Sequence, residues 1–239
     1  MYVPTFRKKA NNVPILNRKE IDFIGEQLVN DFCPDAMANP MEIDIDRFLT
    51  RYLGLEQDFQ YLSHCGLYLG MTVFNDSDRV AVFNPERWKA EYISVKAGTV
   101  LIDNSLLENN QEHRYRFTAA HEGAHKVLHS EYFTQLANKS SKDYIPMVQC
   151  RVDNTGTPRC PSYRKTDSDW LEWQANCLAS SILMPRKMVI KAVRQAERKS
   201  LSVNAGMEAV IHTFNVSNDA AFYRLRELGL GCESRKYAR

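Results

Sequence analysis

Two histidines four residues apart, His121 and His125, with Glu122 beside the first, constrain this chain more than any other stretch of its sequence. Residues four apart on an α-helix lie nearly one above the other, so both imidazoles can reach a single point from one helix face. Two nitrogen ligands make half of a tetrahedral metal site, and the chain must fold a second element against the helix to supply the rest. Glu122, next to the first ligand, is placed to lean over the open side of a metal as a general base without binding it. The flanking residues read as an amphipathic helix of about four turns, with Phe117, Ala120, Ala124, Val127 and Leu128 recurring at helical spacing. Gly123 costs about 1 kcal/mol of helix propensity relative to Ala. With Ala124 it makes a small-residue patch that another element can approach closely. For these five residues alone, a structural helix that happens to carry two histidines is the other reading.

A third protein ligand has to come from elsewhere in the chain. Residues 167–185 form a second helical stretch, with acidic and Ser residues at its start and Pro185 at its end. Leu171, Ala175, Leu178, Ala179 and Ile182 recur at three and four as a core-facing stripe, and Glu172 lies at its edge. A carboxylate there is costly unless paired or metal-bound. Read without a metal, Glu172 is an exposed acid favoured by the helix macrodipole. Asn176, one turn on, is suited to hydrogen-bond a first-helix histidine and orient it. His129 extends the row of histidines, but at 1.5 Å per residue it lies about 12 Å along the axis from His121, too far to share one ion. A histidine near the helix end, interacting with the last carbonyls, is the reading for it.

Taken in order, Arg116-Phe117-Thr118 running into His121-Glu122-x-x-His125, then Glu172-x-x-x-Asn176 and Leu183-Met184-Pro185, resemble the ImmA/IrrE family of metallopeptidases. The resemblance covers roughly residues 40 to 230, and its motifs together are far more specific than the five-residue core. It implies Zn2+ held by His121, His125 and Glu172 with Glu122 as base, the arrangement of gluzincins. It also implies proteolysis of a regulatory protein, typically a helix-turn-helix transcriptional repressor of a mobile element or stress response. The family usually carries glycine directly before the second histidine; here Ala124 holds that place and Gly123 comes one earlier. His125 and Glu172 are 47 residues apart, and that interval holds an insertion-like stretch from about Asn138 to Lys165. The expected fold is α+β, a helix-rich zincin-like domain with a small antiparallel sheet and a C-terminal helical region.

With 239 residues the chain can bury a substantial core, and 44% hydrophobic with 25% charged residues is ordinary for a soluble globular protein. No run of about eighteen apolar residues exists and the N-terminus lacks an apolar secretory core, so a cytoplasmic protein with no membrane partner is expected. The six cysteines (Cys33, Cys65, Cys150, Cys160, Cys177, Cys232) include no Cys-x-x-Cys pair, which argues against a zinc ribbon. In a chain without a signal the scatter also argues against a disulfide framework.

Residues 1–13 read as a flexible N-terminal arm, residues 14–185 as the metallopeptidase domain and 186–239 as a basic helical region packed on it. Asn17-Arg18-Lys19-Glu20 reads as a capping box opening a helix, and a second helix is expected from Asp44 to Leu53, stopping at Gly54. Tyr68 to Phe74, Arg79 to Phe83 and Thr99 to Ile102 are strand-like, with Asn75–Asp78 as the turn between the first two. One of these strands is expected to border the cleft, because a sheet edge beside the metal helix can receive a substrate backbone as an added strand.

Residues 186–239 hold eleven Lys or Arg against five acids, a balance of +6 that leaves −4 for the rest of a chain whose net charge is +2. Residues 207–229 read as helix, tight turn, helix, with Asn215 as a left-handed turn residue, Ser217 as N-cap and Gly229 as the stop. Such a pattern raises a second reading, a DNA-binding regulator in which the zinc is structural. Asn218, Asp219, Ala220 and Ala221 offer few phosphate-friendly groups at the start of the would-be recognition helix, so packing or substrate docking suits the segment better. For the oxyanion of a hydrolytic reaction His129, Tyr115 and Tyr163 are conceivable donors, and no sequence feature selects among them.

Overall fold

The computed structural model describes residues 1–139, 147–151, 166–200 and 202–230. Helix α1 (Arg18–Phe32) begins with a complete capping box: the Asn17 side chain accepts from the Lys19 and Glu20 amides, and Glu20 accepts from the Asn17 amide. Its apolar positions Ile21, Ile24, Leu28 and Val29 are all buried. A short helix α2 (Pro34–Ala38) follows. The stretch expected as a second helix is a single helical turn α3 (Ile45–Arg47), capped by Asp44, that widens into a π-helical turn over Phe48–Tyr52.

Six strands follow: β1 (Glu56–Gln60), β2 (Tyr68–Val73), β3 (Ser77–Asn84), β4 (Lys89–Val95), β5 (Thr99–Asp103) and β6 (Met147–Arg151). They form one sheet of order β1-β5-β2-β6 and a separate β3-β4 hairpin. The expectation of a purely antiparallel sheet needs correcting, because β1 runs parallel to β5, from Glu56 opposite Thr99 to Gln60 opposite Asp103. Nor does the Asn75–Asp78 turn fold β2 back against β3. Strand β2 is hydrogen-bonded to β5 on one side and β6 on the other, which leaves no ladder for β3, and β3 pairs with β4 instead.

Helix α4 (Glu112–Lys139) spans 28 residues, well beyond the four turns expected. Helix α5 (Asp167–Leu183) starts with a capping box between Thr166 and Asp169 and packs along α4. Helices α6 (Arg186–Lys199), α7 (Ala205–Phe214) and α8 (Asn218–Glu227) complete the described chain. Between α7 and α8 the turn has the expected form: Asn215 is left-handed at φ 51°, Ser217 accepts from the Ala220 amide at 3.2 Å, and Gly229 ends the segment at φ 69°. The fold is thus mixed α+β and mostly helical, with one hydrophobic cluster running from Leu16 through α4 and α5 to Leu225. Among the described residues no helix is long and apolar enough to cross a membrane.

Residues 1–13, expected as a loose arm, are laid along this framework by specific contacts. The Tyr2 amide donates to Asp31 at 2.6 Å, Lys8 pairs with Glu131 at 2.6 Å, and Lys9 and Asn11 both hold Asp167. Val13 is fully buried against Phe133 and Leu171. The stretches 140–146 and 152–165, most of the insertion, lie outside the described residues, as do Cys160, Tyr163, Cys232 and the last basic residues. Among the described residues, Cys33, Cys65 and Cys177 take part in no disulfide.

Candidate metal centre

Helix α4 carries His121, Glu122 and His125 on its buried side, and α5 brings Glu172 to meet them. The two imidazole Nε2 atoms lie 3.0 Å apart. Glu172 Oε2 is 3.3 Å from His121 Nε2, and its Oε1 is 3.5 Å from His125 Nε2. Three ligand atoms of the kind metals favour therefore converge within 4.8 Å of one another, and this group can hold a metal ion. The chemistry of the set supports that use. Two imidazole nitrogens and a carboxylate turned toward one another form a donor set that one divalent cation satisfies together. In a tetrahedral site with bonds of about 2.0–2.1 Å, ligand atoms stand about 3.4 Å apart, close to the separations found. Both histidines are buried, whereas the Glu172 side chain is 35% exposed, so the site opens on the α5 side.

Each element arrives by local packing. Gly123 faces the π-helical turn: a Cβ there would stand 2.6 Å from Leu49 Cδ2, so the glycine the helix carries at a propensity cost admits that turn against α4. Asn176 accepts from His121 Nδ1 at 2.9 Å, the orienting contact its position one turn beyond Glu172 had suggested. His129 needs correcting. It lies well inside α4, fully buried, with Nδ1 2.9 Å from His125 Nδ1 and Nε2 3.0 Å from Gln174 Oε1. The helix continues for ten residues past it, so no terminal carbonyls are within its reach.

Strand β2 is the one that borders the site, and sequence reasoning passed over its two contributing residues. Gly70 passes so close to α4 that a Cβ would lie 2.7 Å from Glu122 Oε1 and 2.7 Å from Thr118 Cγ2. Thr72, two residues on and on the same face, donates from Oγ1 to Glu122 Oε2 at 2.5 Å. Glu122 Oε1 is buried with no hydrogen-bond partner among the described residues. Burial pushes the Glu122 carboxyl up to about 7, against the opposing pull of His121 and of the Thr72 hydrogen bond. The signal was present in Leu69-Gly70-Met71-Thr72-Val73: a glycine inside an apolar strand marks a close backbone approach, and a lone polar residue there needs a buried partner. Because β6 pairs with the far side of β2, the strand at the site is interior to the sheet rather than the edge that was expected.

Tyr115, one of the conceivable oxyanion donors, is taken up by Asp46 and by Gln57, which donates to its hydroxyl at 3.1 Å. His129 is committed to His125 and Gln174. Arg116, the first residue of the family-like motif, is buried and structural. It spans Glu42 at 2.5 Å, the Ile43 carbonyl at 3.1 Å and the Asn215 carbonyl at 3.1 Å, tying α4 to the end of α7. No protein-family model and no curated protein compared with the chain matches it.

Proposed function

We propose that the chain is a zinc-dependent endopeptidase of the zincin type that cleaves a regulatory protein, with His121, His125 and Glu172 holding Zn2+ and Glu122 as the base. The observation that carries this reading is the convergence of two Nε2 atoms and one carboxylate from two separate helices, beside a buried carboxyl that is not one of the three. Bound Zn2+ would supply a Lewis acid that polarises the scissile carbonyl and lowers the pKa of water toward about 7.

The chain's own groups then account for proton movement. Glu122 takes a proton from the attacking water as the new C–O bond forms, and returns it to the leaving amine as the C–N bond breaks. Thr72 fixes one carboxylate oxygen, so the other is the atom left for that exchange. The missing side chain at Gly70 provides the room in which it sits. The substrate class follows from the resemblance to the ImmA/IrrE family: a helix-turn-helix repressor. The competing reading, a DNA-binding regulator with a structural zinc, fits α8 poorly. Its Arg224 is turned fully inward, and the exposed start of the helix presents Asp219, which repels phosphate.

The test combines metal analysis with cleavage of a helix-turn-helix repressor encoded beside the protein. Wild type should carry one zinc per chain and cut. Glu122→Gln should keep the zinc and lose about 10²- to 10⁴-fold in rate, and His121→Ala should lose both. Cleavage by Glu122→Gln at the wild-type rate would overturn the mechanism. Tight, sequence-specific binding to duplex DNA that survives chelation would favour the regulator.

A further inference from the structure

Four buried groups behind the metal-facing side of His125 form a single line of hydrogen bonds. His125 Nδ1 is 2.9 Å from His129 Nδ1, His129 Nε2 is 3.0 Å from Gln174 Oε1, and Gln174 Nε2 donates at 2.9 Å to the Pro14 carbonyl. His125, His129 and Gln174 are completely buried, and Pro14 is buried as well. The line joins α4, α5 and the segment just before α1.

One end of the line has a fixed polarity, and the rest follows by hydrogen-bond bookkeeping. A backbone carbonyl can only accept, so the Gln174 amide must point its NH2 at Pro14 and its oxygen at His129. That oxygen can only accept, so His129 Nε2 carries a proton. A neutral imidazole carries one proton, and with that proton on Nε2 the His129 Nδ1 is a bare acceptor. His125 must then donate from Nδ1. With its one proton on Nδ1, the His125 ring presents Nε2 as a lone pair, and it is Nε2 that faces His121 and Glu172. The opposite tautomer would set two bare Nδ1 atoms against each other 2.9 Å apart.

We infer that His129 and Gln174 are positioning residues that hold His125 in the one tautomer able to bind a metal through Nε2, with the Pro14 carbonyl setting the direction of the whole line. The inference rests on the zinc reading above and deepens it. It assigns a role to a histidine outside the metal group, and it explains why Gln174, next to Trp173 on α5, is completely buried. It also ties the quality of the metal site to the segment preceding α1, since Pro14 is held further by Trp170 Nε1, which donates to the same carbonyl at 3.0 Å.

The experiment uses the full-length protein, zinc titrated against a competing chelator, and thermal unfolding of the metal-free form. Removing an orienting partner of a metal-ligating histidine typically costs about 10- to 100-fold in affinity, and that loss is expected for His129→Leu and for Gln174→Leu. His129→Gln, whose amide can accept from His125 and donate to Gln174, should restore most of the affinity. In the zinc-loaded protein, nitrogen-15 NMR should show His125 protonated at Nδ1 and metal-bound at Nε2 in wild type and in His129→Gln. A wild type that binds no zinc overturns the metal reading itself. Zinc binding by wild type with unchanged affinity in both leucine variants, or His125 bound through Nδ1, overturns the positioning role while leaving the metal reading standing. Should His129→Leu not fold, Gln174→Leu and His129→Gln decide the matter by the same criteria.

Discussion

Near the start of α5, Glu172 meets His121 and His125, so a carboxylate faces two imidazoles whose nearest atoms are also acceptors. Near its end the same helix meets Arg224 of α8, and there the acceptors face cationic donors. Arg224 Nε and Nη2 donate to the Met184 carbonyl at 3.0 and 2.9 Å, while Nη1 lies 2.9 Å from Asp22. Asp22 also accepts from Ser181 at 2.6 Å, and Arg18 closes the group by pairing with Glu227 at 2.6 Å. Both clusters are polar, yet one sets its carboxylates against two guanidinium groups of the chain, whereas the other gathers two imidazoles and a carboxylate that could hold a metal ion. Burial of polar residues alone therefore does not mark a site. The sign and direction of the groups do, because a structural cluster matches donors to acceptors whereas a metal site gathers acceptors.

That contrast fails most visibly if the two ends of α5 respond alike to truncation. Arg224→Ala removes the nearer of the two cations on buried Asp22, at 2.9 Å against 3.6 Å for Arg18, and breaking a buried pair in this way typically costs about 3–5 kcal/mol. Urea unfolding of the metal-free protein should register that loss, and the folded fraction should still bind zinc. A loss below about 1 kcal/mol would mean that the Arg224 cluster is no structural lock.

Glu172→Ala should behave in the opposite way. Its side chain is a third exposed and, among the described residues, has no hydrogen bond beyond the metal group, so the metal-free protein should keep nearly all its stability. What it should lose is the gain from added zinc, which for wild type at a hundredfold excess over the dissociation constant is about 2.7 kcal/mol. Thermal unfolding with and without zinc measures both quantities. A Glu172→Ala protein stabilised by zinc as strongly as wild type would remove Glu172 from the ligand set.

Gly70→Ala sharpens the comparison at the strand. The added methyl meets Glu122 Oε1 and Thr118 Cγ2 at 2.7 Å, and overpacking of this kind costs about 1–3 kcal/mol. Because Glu122 must shift to relieve it, peptide cleavage should fall further than stability does, with zinc affinity held. If cleavage survives intact while stability drops, the close approach of β2 serves packing only.

How much of this was legible depended on whether the information is local. The His121–His125 spacing, the Asn17 capping box and the Asn215–Ser217 turn are written in adjacent residues, and each appears where its pattern lies. Strand partners are not local. Whether β2 pairs with β3 or with β5 and β6 depends on which surfaces remain after α4 has packed, so the turn at Asn75–Asp78 was recognisable but its consequence was not. Short, polar β1 (Glu56–Gln60) carries too little apolar alternation to announce itself, and its parallel pairing with β5 crosses more than 40 residues of chain. At the site, the two histidines were legible from their spacing and Glu172 from its place at the edge of the α5 stripe, and the structure brings these three together. The contacts of Thr72, Gly70, His129 and Gln174 were not legible, because each is made with another element.

The smallest effect concerns the first residues of the chain, whose attachment bears on Pro14. Asp167 accepts from Lys9 at 2.5 Å and from Asn11 at 2.8 Å, and these two contacts, Lys9 first, hold its carboxyl below the usual 3.8. A carboxyl whose folded-state pKa lies below its unfolded value adds stability that is fully present above the unfolded value and is lost as pH falls through the folded one. Asp167→Ala should therefore be less stable than wild type at neutral pH and should converge with it as the pH drops below 3.8. The pair is a third to a half exposed, so the neutral-pH difference should stay within about 1 kcal/mol and shrink with added salt. Urea unfolding across that pH range decides it. Should the difference instead grow on acidification, the Lys9 and Asn11 contacts are not what anchors the segment, and the Pro14 carbonyl must be held by its neighbours on α5 alone.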